Sequence, residues 1–141
     1  MNIGKENETQ EFKESLAQLD KGLLSLTAML NRHNKATVYF GVNDNGDVIG
    51  INATDKSLMK IREKISNKIQ PKIVPQIELL NDNKIKYIKI TAQESQTPYS
   101  YDGRYYIRNQ SANEQADQIT IKKMFTTSQA DLLKQKKSPL Q

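Results

Sequence analysis

The sequence predicts a mixed α/β fold of the α+β type, in which a mixed β-sheet carries about three helices. An amphipathic leucine stripe near the N-terminus predicts a helix, and the β-prone run 36–42 (ATVYFGV) predicts a central strand directly after it. The second half of the chain continues with helix, strands and helix patterns, which is the order expected of helices packed on a sheet.

Five leucines at spacings of three and four share one face and predict the first helix, from about Ala17 to Arg32. Residues 9–14 (TQEFKE) alternate weakly and predict a short strand before this helix. After the central strand, the turn-forming run 43–47 (NDNGD) and the run 48–51 (VIGI) predict a β-hairpin. The five leucines are Leu16, Leu19, Leu23, Leu26 and Leu30.

A second helix is predicted from Asp55 to Ile69, with Thr54 or Asp55 as its N-cap and with Pro71 and Pro75 ending it. Its remaining faces carry a cluster of basic residues. Beyond it we expect strands over 77–82 and 84–91, a turn at 102–103 leading into a strand that ends at 109, and a last helix from about 117.

With 141 residues, the chain has the size of one domain, which we expect to span 1–125 and to be followed by a polar, basic tail over 126–141. The lack of cysteine excludes disulfide bonds and Cys-based zinc sites. No apolar run reaches the roughly 18 residues of a membrane span, and the N-terminus has no apolar signal-peptide core. We therefore expect a cytoplasmic location and no membrane partner.

The charge balance favours a polyanionic partner, because 21 basic residues against 16 acidic ones give a net charge of +5. Basic residues recur through 56–72 and again through 122–137, whereas the N-terminal segment 6–14 is acidic. A basic composition that serves solubility alone remains the alternative. The chain has no GxGxxG fingerprint, GxxxxGK[ST] phosphate loop or GxSxG elbow, so the commonest nucleotide-binding and hydrolase classes are excluded.

Four stretches together resemble the Schlafen-AlbA domain, in particular its bacterial members described as DNA-binding or transcriptional-regulator domains. They are 6–16 (ENETQEFKESL), 28–51 (AMLNRHNKATVYFGVNDNGDVIGI), 69–77 (IQPKIVPQI) and 105–116 (YYIRNQSANEQA), so the resemblance covers residues 6 to about 125. It implies a nucleic-acid-binding domain that commonly occurs with ATPase-like and winged-helix segments. The sequence departs from the family before the central strand, where family glycines are replaced in the run 33–36 (HNKA), and at Gln110.

The resemblance to Schlafen ribonucleases also implies a catalytic, metal-binding trio of Glu6, Glu11 and Asp44. Carboxylate oxygens are the ligands that Mg²⁺ or Mn²⁺ prefers, and such an ion can activate water for phosphodiester cleavage. The alternative is structural, since Asp44 lies in a turn where aspartate is locally favoured and Glu6 lies near the terminus.

Basic residues supply the expected phosphate contacts. On the second helix they recur every four residues, which is also what an ordinary solvated helix face looks like. Arg108 matches the YYxR element, and pairing with Glu11 or Asp44 is its alternative role. The lone His33 has an acid–base role or a helix-end role. The predicted nucleic-acid-binding residues are Lys13, Lys56, Lys60, Lys64, Lys68, Arg104 and Arg108.

The sequence thus favours a domain that binds DNA or RNA through backbone phosphates. The alternative is a Mg²⁺- or Mn²⁺-dependent endoribonuclease acting on structured, tRNA-like RNA, so the sequence leaves open whether the protein is an enzyme. A third hypothesis is an interaction module without a nucleic-acid partner, which scattered rather than contiguous lysines would favour. Homo-oligomerisation and a larger multidomain context are also left open.

Overall fold

Two four-stranded sheets and three helices make up the fold in a computed structural model that describes residues 1–126. The predicted α+β class is confirmed, although the sequence indicated one sheet rather than two. The elements in chain order are β1 (Gln10–Lys13), α1 (Leu19–His33), β2 (Lys35–Phe40), α2 (Asp55–Lys68), β3 (Ile69–Gln70), β4 (Gln76–Asp82), β5 (Ile85–Gln93), β6 (Ser100–Tyr101), β7 (Arg104–Asn109), β8 (Ala112–Gln115) and the helical residues 118–126.

The first sheet has the strand order β1-β2-β5-β4 and is mixed, as the sequence predicts. β1 runs parallel to β2, whereas β2 with β5 and β4 with β5 are antiparallel. The β4–β5 hairpin turns through Asn83 and Lys84, both at positive φ, as a tight two-residue turn requires. The second sheet has the order β3-β6-β7-β8.

The main core lies between α1 and the first sheet. The leucine stripe predicted for α1 contributes Leu23, Leu26 and Leu30, all fully buried. Gly22 lets the helix approach β2 closely, since a Cβ at this position would meet the Phe40 ring at 2.5 Å. α1 ends at Asn34, whose φ of 60° is the left-handed conformation that the sequence allowed for this residue.

The buried amide of Asn31 joins α1 to the second sheet. Its Nδ2 donates to the carbonyls of Tyr99 at 2.9 Å and Tyr106 at 2.7 Å, and its Oδ1 accepts from the Tyr99 N–H at 2.7 Å. A buried amide satisfied in this way fixes the position of the second sheet against the helix.

α2 begins at the Thr54 cap, where Thr54 and Ser57 form a reciprocal capping box, and packs through the buried Ile61 and Ile65. This confirms the predicted helix and one of its two expected caps. The charged side chains of α2 lie on its other faces, which leaves them available to solvent or to a partner.

The predicted hairpin over 43–51 is wrong in its second strand, because Val42 and Val48 form only an isolated bridge. The Val48 N–H donates to the carbonyl of Met1 at 3.0 Å, whereas the Ile49 and Gly50 N–H groups both donate to the Gly41 carbonyl, so the segment forms no regular second strand. Gly41, at a φ of 96°, turns the chain out of the ladder.

None of the helices within residues 1–126 is long and apolar enough to cross a membrane. The predicted tail over 126–141 and the basic residues at 134, 136 and 137 lie outside the described residues, apart from residue 126 itself.

Candidate nucleic-acid interface

Glu11 and Arg108 form an ion pair in the interior. Glu11 lies on the α1-facing side of β1 and is 5% exposed, while Arg108 of β7 is 0% exposed. The Arg108 Nη1 donates to the Glu11 Oε2 at 2.7 Å, and Ser25 Oγ of α1 donates to the same oxygen at 2.9 Å. The pair therefore ties β1, α1 and the second sheet together.

The Arg108 guanidinium makes two further bonds inside the protein, to the Asn113 Oδ1 at 2.8 Å and to the Asn7 carbonyl at 3.1 Å. Its Nε is buried without a hydrogen-bond partner among the described residues. The alternative role, pairing with Glu11, is confirmed. The predicted contact of Arg108 with phosphate at the surface is wrong. The guanidinium is buried against the Glu11 carboxylate and does not reach solvent.

Glu6 lies beside Glu11, and the two carboxyl groups share a hydrogen bond. Burial, reinforced by the neighbouring Glu11, raises the pKa of Glu6, although the Phe12 N–H that donates to its Oε1 at 2.9 Å opposes the rise. Burial also acts to raise the pKa of Glu11, but hydrogen bonds from Glu6 and Arg108 outweigh burial and lower it. As the pH falls, Glu6 therefore takes up a proton before Glu11 does.

Lys13 covers the same cluster. Its Nζ lies 3.8 Å from the Glu11 Oε1, and its side chain is only 18% exposed. Lys13 thus neutralises the carboxyl pair together with Arg108, rather than standing free for phosphate as the sequence hypothesis required.

Asp44, the third member of the predicted trio, is exposed, unlike the buried Glu11. It lies in the turn 43–47, and no three Asp, Glu, His or Cys side chains among residues 1–126 are arranged to hold a metal ion. Both Glu11 oxygens face cationic side chains, and the Glu6 Oε1 accepts a backbone N–H. These residues as arranged do not fit a divalent metal centre.

The lysines of α2 fall into two groups. Lys56 and Lys60 are exposed, whereas Lys64 and Lys68 are half-buried and paired. The Lys64 Nζ lies 3.0 Å from an oxygen of Asp20, and the Lys68 Nζ lies 3.3 Å from an oxygen of Asp102. Two of the four predicted phosphate-binding lysines are therefore already partnered by aspartate.

The buried Tyr101 also holds Asp20 in place. Its hydroxyl donates to the Asp20 Oδ1, whereas Lys64 pairs with the Oδ2. The bonds from Tyr101 and Lys64 lower the pKa of Asp20, so it is a carboxylate at neutral pH. No sequence signal pointed to Asp20, because a polar residue between leucines of a helix stripe is ordinary.

A groove of about 340 Å³ runs between this part of α1 and α2, with Lys60, Lys64 and Lys68 along one side. A second hollow of about 400 Å³ beside it includes Lys56 and Lys60. The four lysines are thus contiguous in space rather than scattered, and the acidic Glu63 lines both hollows beside them.

The other residues singled out in the sequence lie outside the lysine groove and the Glu6–Glu11 cluster. Arg104 is exposed at the start of β7. Tyr106 packs against the main core, as expected for one of two adjacent strand tyrosines. The Tyr105 ring meets the Phe125 ring edge-on, with 6.0 Å between the ring centroids. The His33 Nε2 lies 3.4 Å from a Glu8 oxygen at the end of α1, which places it in a surface pair rather than in the Glu6–Glu11 cluster.

The match to a family model decides the family. A model described as Schlafen, AlbA_2 matches residues 6–117, most of the chain. The chain belongs to the Schlafen, AlbA_2 family. The predicted resemblance is confirmed, and in this AlbA_2 domain Gln110, where the family commonly has glycine, adopts the positive φ of 58° that glycine would take.

Among solved structures, the AlbA_2 domain is similar to the DIP2311 protein of Corynebacterium diphtheriae, with a TM-score of 0.62 and 16% identity. The likeness covers 78% of this chain and 22% of that one, and it shows a shared fold. It is also similar to the N-terminal domain of a putative ATP-dependent DNA helicase RecG-related protein of Nitrosomonas europaea, with a TM-score of 0.48, 14% identity, and 62% and 63% of the two chains covered. No curated protein matches the chain.

Proposed function

We propose that this AlbA_2 domain binds nucleic acid through the phosphate backbone, with the exposed face of α2 as its principal contact. The observation that carries the proposal is the run of four lysines at every fourth position of this helix, which has two acidic residues, Asp55 and Glu63. Lys56 and Lys60 are exposed, and Lys64 and Lys68 extend the same surface along the groove beside α1.

Phosphate contacts by lysine are point-charge contacts that do not read base edges. Asp20 and Asp102 compete with phosphate for Lys64 and Lys68, and these exposed ion pairs are individually weak, about 0–1 kcal/mol. Nucleic acid can therefore displace either aspartate at small cost. The surface supports backbone recognition with little sequence preference.

The metal-dependent ribonuclease alternative has less support. Its chemistry requires open carboxylate oxygens for a divalent ion. Here Arg108 and Lys13 are the counter-ions of Glu11, and the Glu6 Oε1 accepts the Phe12 N–H. The cluster instead joins β1 to the second sheet through the Glu11–Arg108 pair.

The experiment is a salt titration of affinity, using fluorescence anisotropy of labelled duplex DNA and duplex RNA. Four lysine–phosphate contacts predict that log affinity falls with log salt at a slope of about −3 to −4. A slope near zero would overturn phosphate-dominated binding. The DNA-to-RNA ratio of affinities shows which duplex form the surface fits better.

A further inference from the structure

β4 is an open edge of the first sheet. The strand order ends at β4, which pairs with β5 on one side and has no strand on the other among residues 1–126. In an antiparallel ladder, alternate residues direct their N–H and C=O groups away from the partner strand. Seven residues without a proline, from Gln76 to Asp82, therefore present an edge that can accept another strand.

An apolar groove lies beside this edge on the α2 side of the sheet. Its floor is made by Ile65 of α2 and by Ile73, Pro75 and Ile77 of the segment that enters β4, and its volume is about 220 Å³. Val74, on the rim, is 90% exposed. An exposed valine beside an open aliphatic groove indicates a surface that gains stability when apolar side chains cover it.

Two positively charged side chains, Arg62 and Lys72, line the same groove. Arg62 of α2 and Lys72 are exposed, and neither side chain has a hydrogen bond or ion pair among the residues that the structure describes. Lys64 and Lys68, on the opposite flank of α2, are both paired with aspartate. The groove therefore combines an apolar floor with unneutralised positive charge.

We propose that this groove and the β4 edge bind an extended segment of a partner polypeptide that carries aliphatic and acidic side chains on one face. The segment adds to β4 as a new strand. Since side chains at i and i+2 of a strand share a face, one aliphatic side chain enters the groove and a carboxylate two positions away reaches Arg62 or Lys72.

The observations favour a peptide over nucleic acid here, because phosphate binding needs neither an aliphatic floor nor a free strand edge. A second copy of the chain is also a poorer fit. The acidic residue Glu78 of β4 stands opposite Lys89, and Lys89 lies over the Tyr39 ring on the face of the sheet away from α2. A second β4 strand in the same sheet would thus carry Glu78 on the wrong face to meet Arg62.

The test uses the full chain and a fluorescein-labelled peptide in which isoleucine and glutamate alternate on one face and threonine fills the other. Fluorescence anisotropy measures its binding to the wild type, to the Arg62→Glu/Lys72→Glu variant and to the matched Lys56→Glu/Lys60→Glu variant. All four substitutions are at exposed positions, and circular dichroism checks that each variant is folded.

We expect saturable binding that weakens about tenfold or more, or about 1.4 kcal/mol, in Arg62→Glu/Lys72→Glu and stays within about twofold in Lys56→Glu/Lys60→Glu. A peptide N-methylated at alternate backbone nitrogens should lose binding, because it cannot form the ladder. A peptide with lysine in place of glutamate should also fail to bind.

Several results would overturn the proposal. Equal weakening in both variants would show general charge attraction, and undiminished binding of the N-methylated peptide would show that no strand is added. Absence of saturable binding up to about 1 mM peptide would reject the stated partner chemistry. Displacement of the peptide by duplex DNA would assign the groove to nucleic acid, and a wild-type dimer in sedimentation that Arg62→Glu/Lys72→Glu abolishes would assign it to a second copy.

Discussion

The Arg108 guanidinium and the Glu11 carboxylate meet at 2.7 Å although 97 positions separate them in the chain. Arg108 is fully buried, and the Glu11 side chain is 7% exposed. Glu11 and Arg108, the charged residues of two family motifs, thus neutralise each other inside the protein. The lysines of α2 lie elsewhere, so mutations should separate the proposed nucleic-acid binding from the stability of the fold.

Replacement of Arg108 with methionine should destabilise the domain by about 3–5 kcal/mol, because the buried Glu11 loses its hydrogen-bonded counter-ion and keeps only Lys13, whose Nζ lies 3.8 Å away. Urea denaturation followed by circular dichroism measures the loss. The double variant Arg108→Met/Glu11→Gln should recover part of it, since the glutamine carries no charge. A double variant as unstable as the sum of both single variants would contradict a direct ion pair.

Glu6→Gln should raise the melting temperature at pH 7. Burial raises the pKa of Glu6, so ionisation at neutral pH opposes folding, and glutamine retains an oxygen for the Phe12 N–H and a donor for Glu11. The gain should shrink as the pH falls through the raised folded-state pKa of Glu6 towards 4.5, and it should vanish below about 4.5, where the carboxyl group is protonated in the folded and the unfolded chain alike. A gain that is constant from pH 7 to pH 3, measured by thermal melts, would refute this assignment.

The wild type should lose the stabilisation contributed by Glu11 on acidification. The folded-state pKa of Glu11 is lowered, so its contribution is present above the unfolded value near 4.5 and disappears as the pH falls through the folded value. Glu11→Gln should be less stable than the wild type at pH 7, and the difference should narrow towards pH 3. Parallel curves of unfolding free energy against pH for the two proteins would show that Glu11 contributes no pH-dependent stabilisation.

Asp20→Asn should strengthen nucleic-acid binding by up to about fivefold, the equivalent of about 1 kcal/mol for one exposed ion pair. The substitution frees Lys64 while the asparagine oxygen still accepts from the Tyr101 hydroxyl. Asp44→Asn is the matched control, because it removes the same charge from the exposed turn. Equal strengthening in both variants would attribute the effect to net charge alone.

Labelled tRNA and duplex RNA should remain intact when incubated with the protein and Mn²⁺, because the Glu6–Glu11 pair is neutralised internally. Denaturing gels compare Mn²⁺ with EDTA. Fragments that form only with metal, and that disappear in the Asp44→Ala variant, would restore the nuclease alternative. Fragments that persist in that variant would come from a contaminating enzyme.

The sequence was sufficient for the elements with long, regular patterns. The leucine stripe of α1, the β-prone run of β2 and the capped helix α2 each contain enough repeats for the period to be read. The second sheet was not predicted, because β3 and β6 have two residues each and β8 (ANEQ) is polar throughout. Such strands form where the rest of the fold places their backbones, and they leave no periodic signal.

The candidate site was predictable only in its residue types. The resemblance to the Schlafen-AlbA domain pointed to Glu11 and Arg108, yet whether Arg108 faces solvent depends on its meeting Glu11 through tertiary packing. The pairing of Lys64 with Asp20 depends in the same way on how α1 and α2 cross. Contacts between distant segments carry no local pattern, so their partners emerge only from the structure.

The most direct test of the central claim is the affinity of the Lys56→Glu/Lys60→Glu variant for duplex DNA and RNA, compared with Lys122→Glu/Lys123→Glu on the helix at 118–126. All four residues are exposed, and each variant changes the net charge by the same amount. We expect a large loss of affinity and a salt slope shallower by about 2 for the α2 variant only. An equal loss in both variants, or no loss in the α2 variant, would contradict α2 as the nucleic-acid-binding surface.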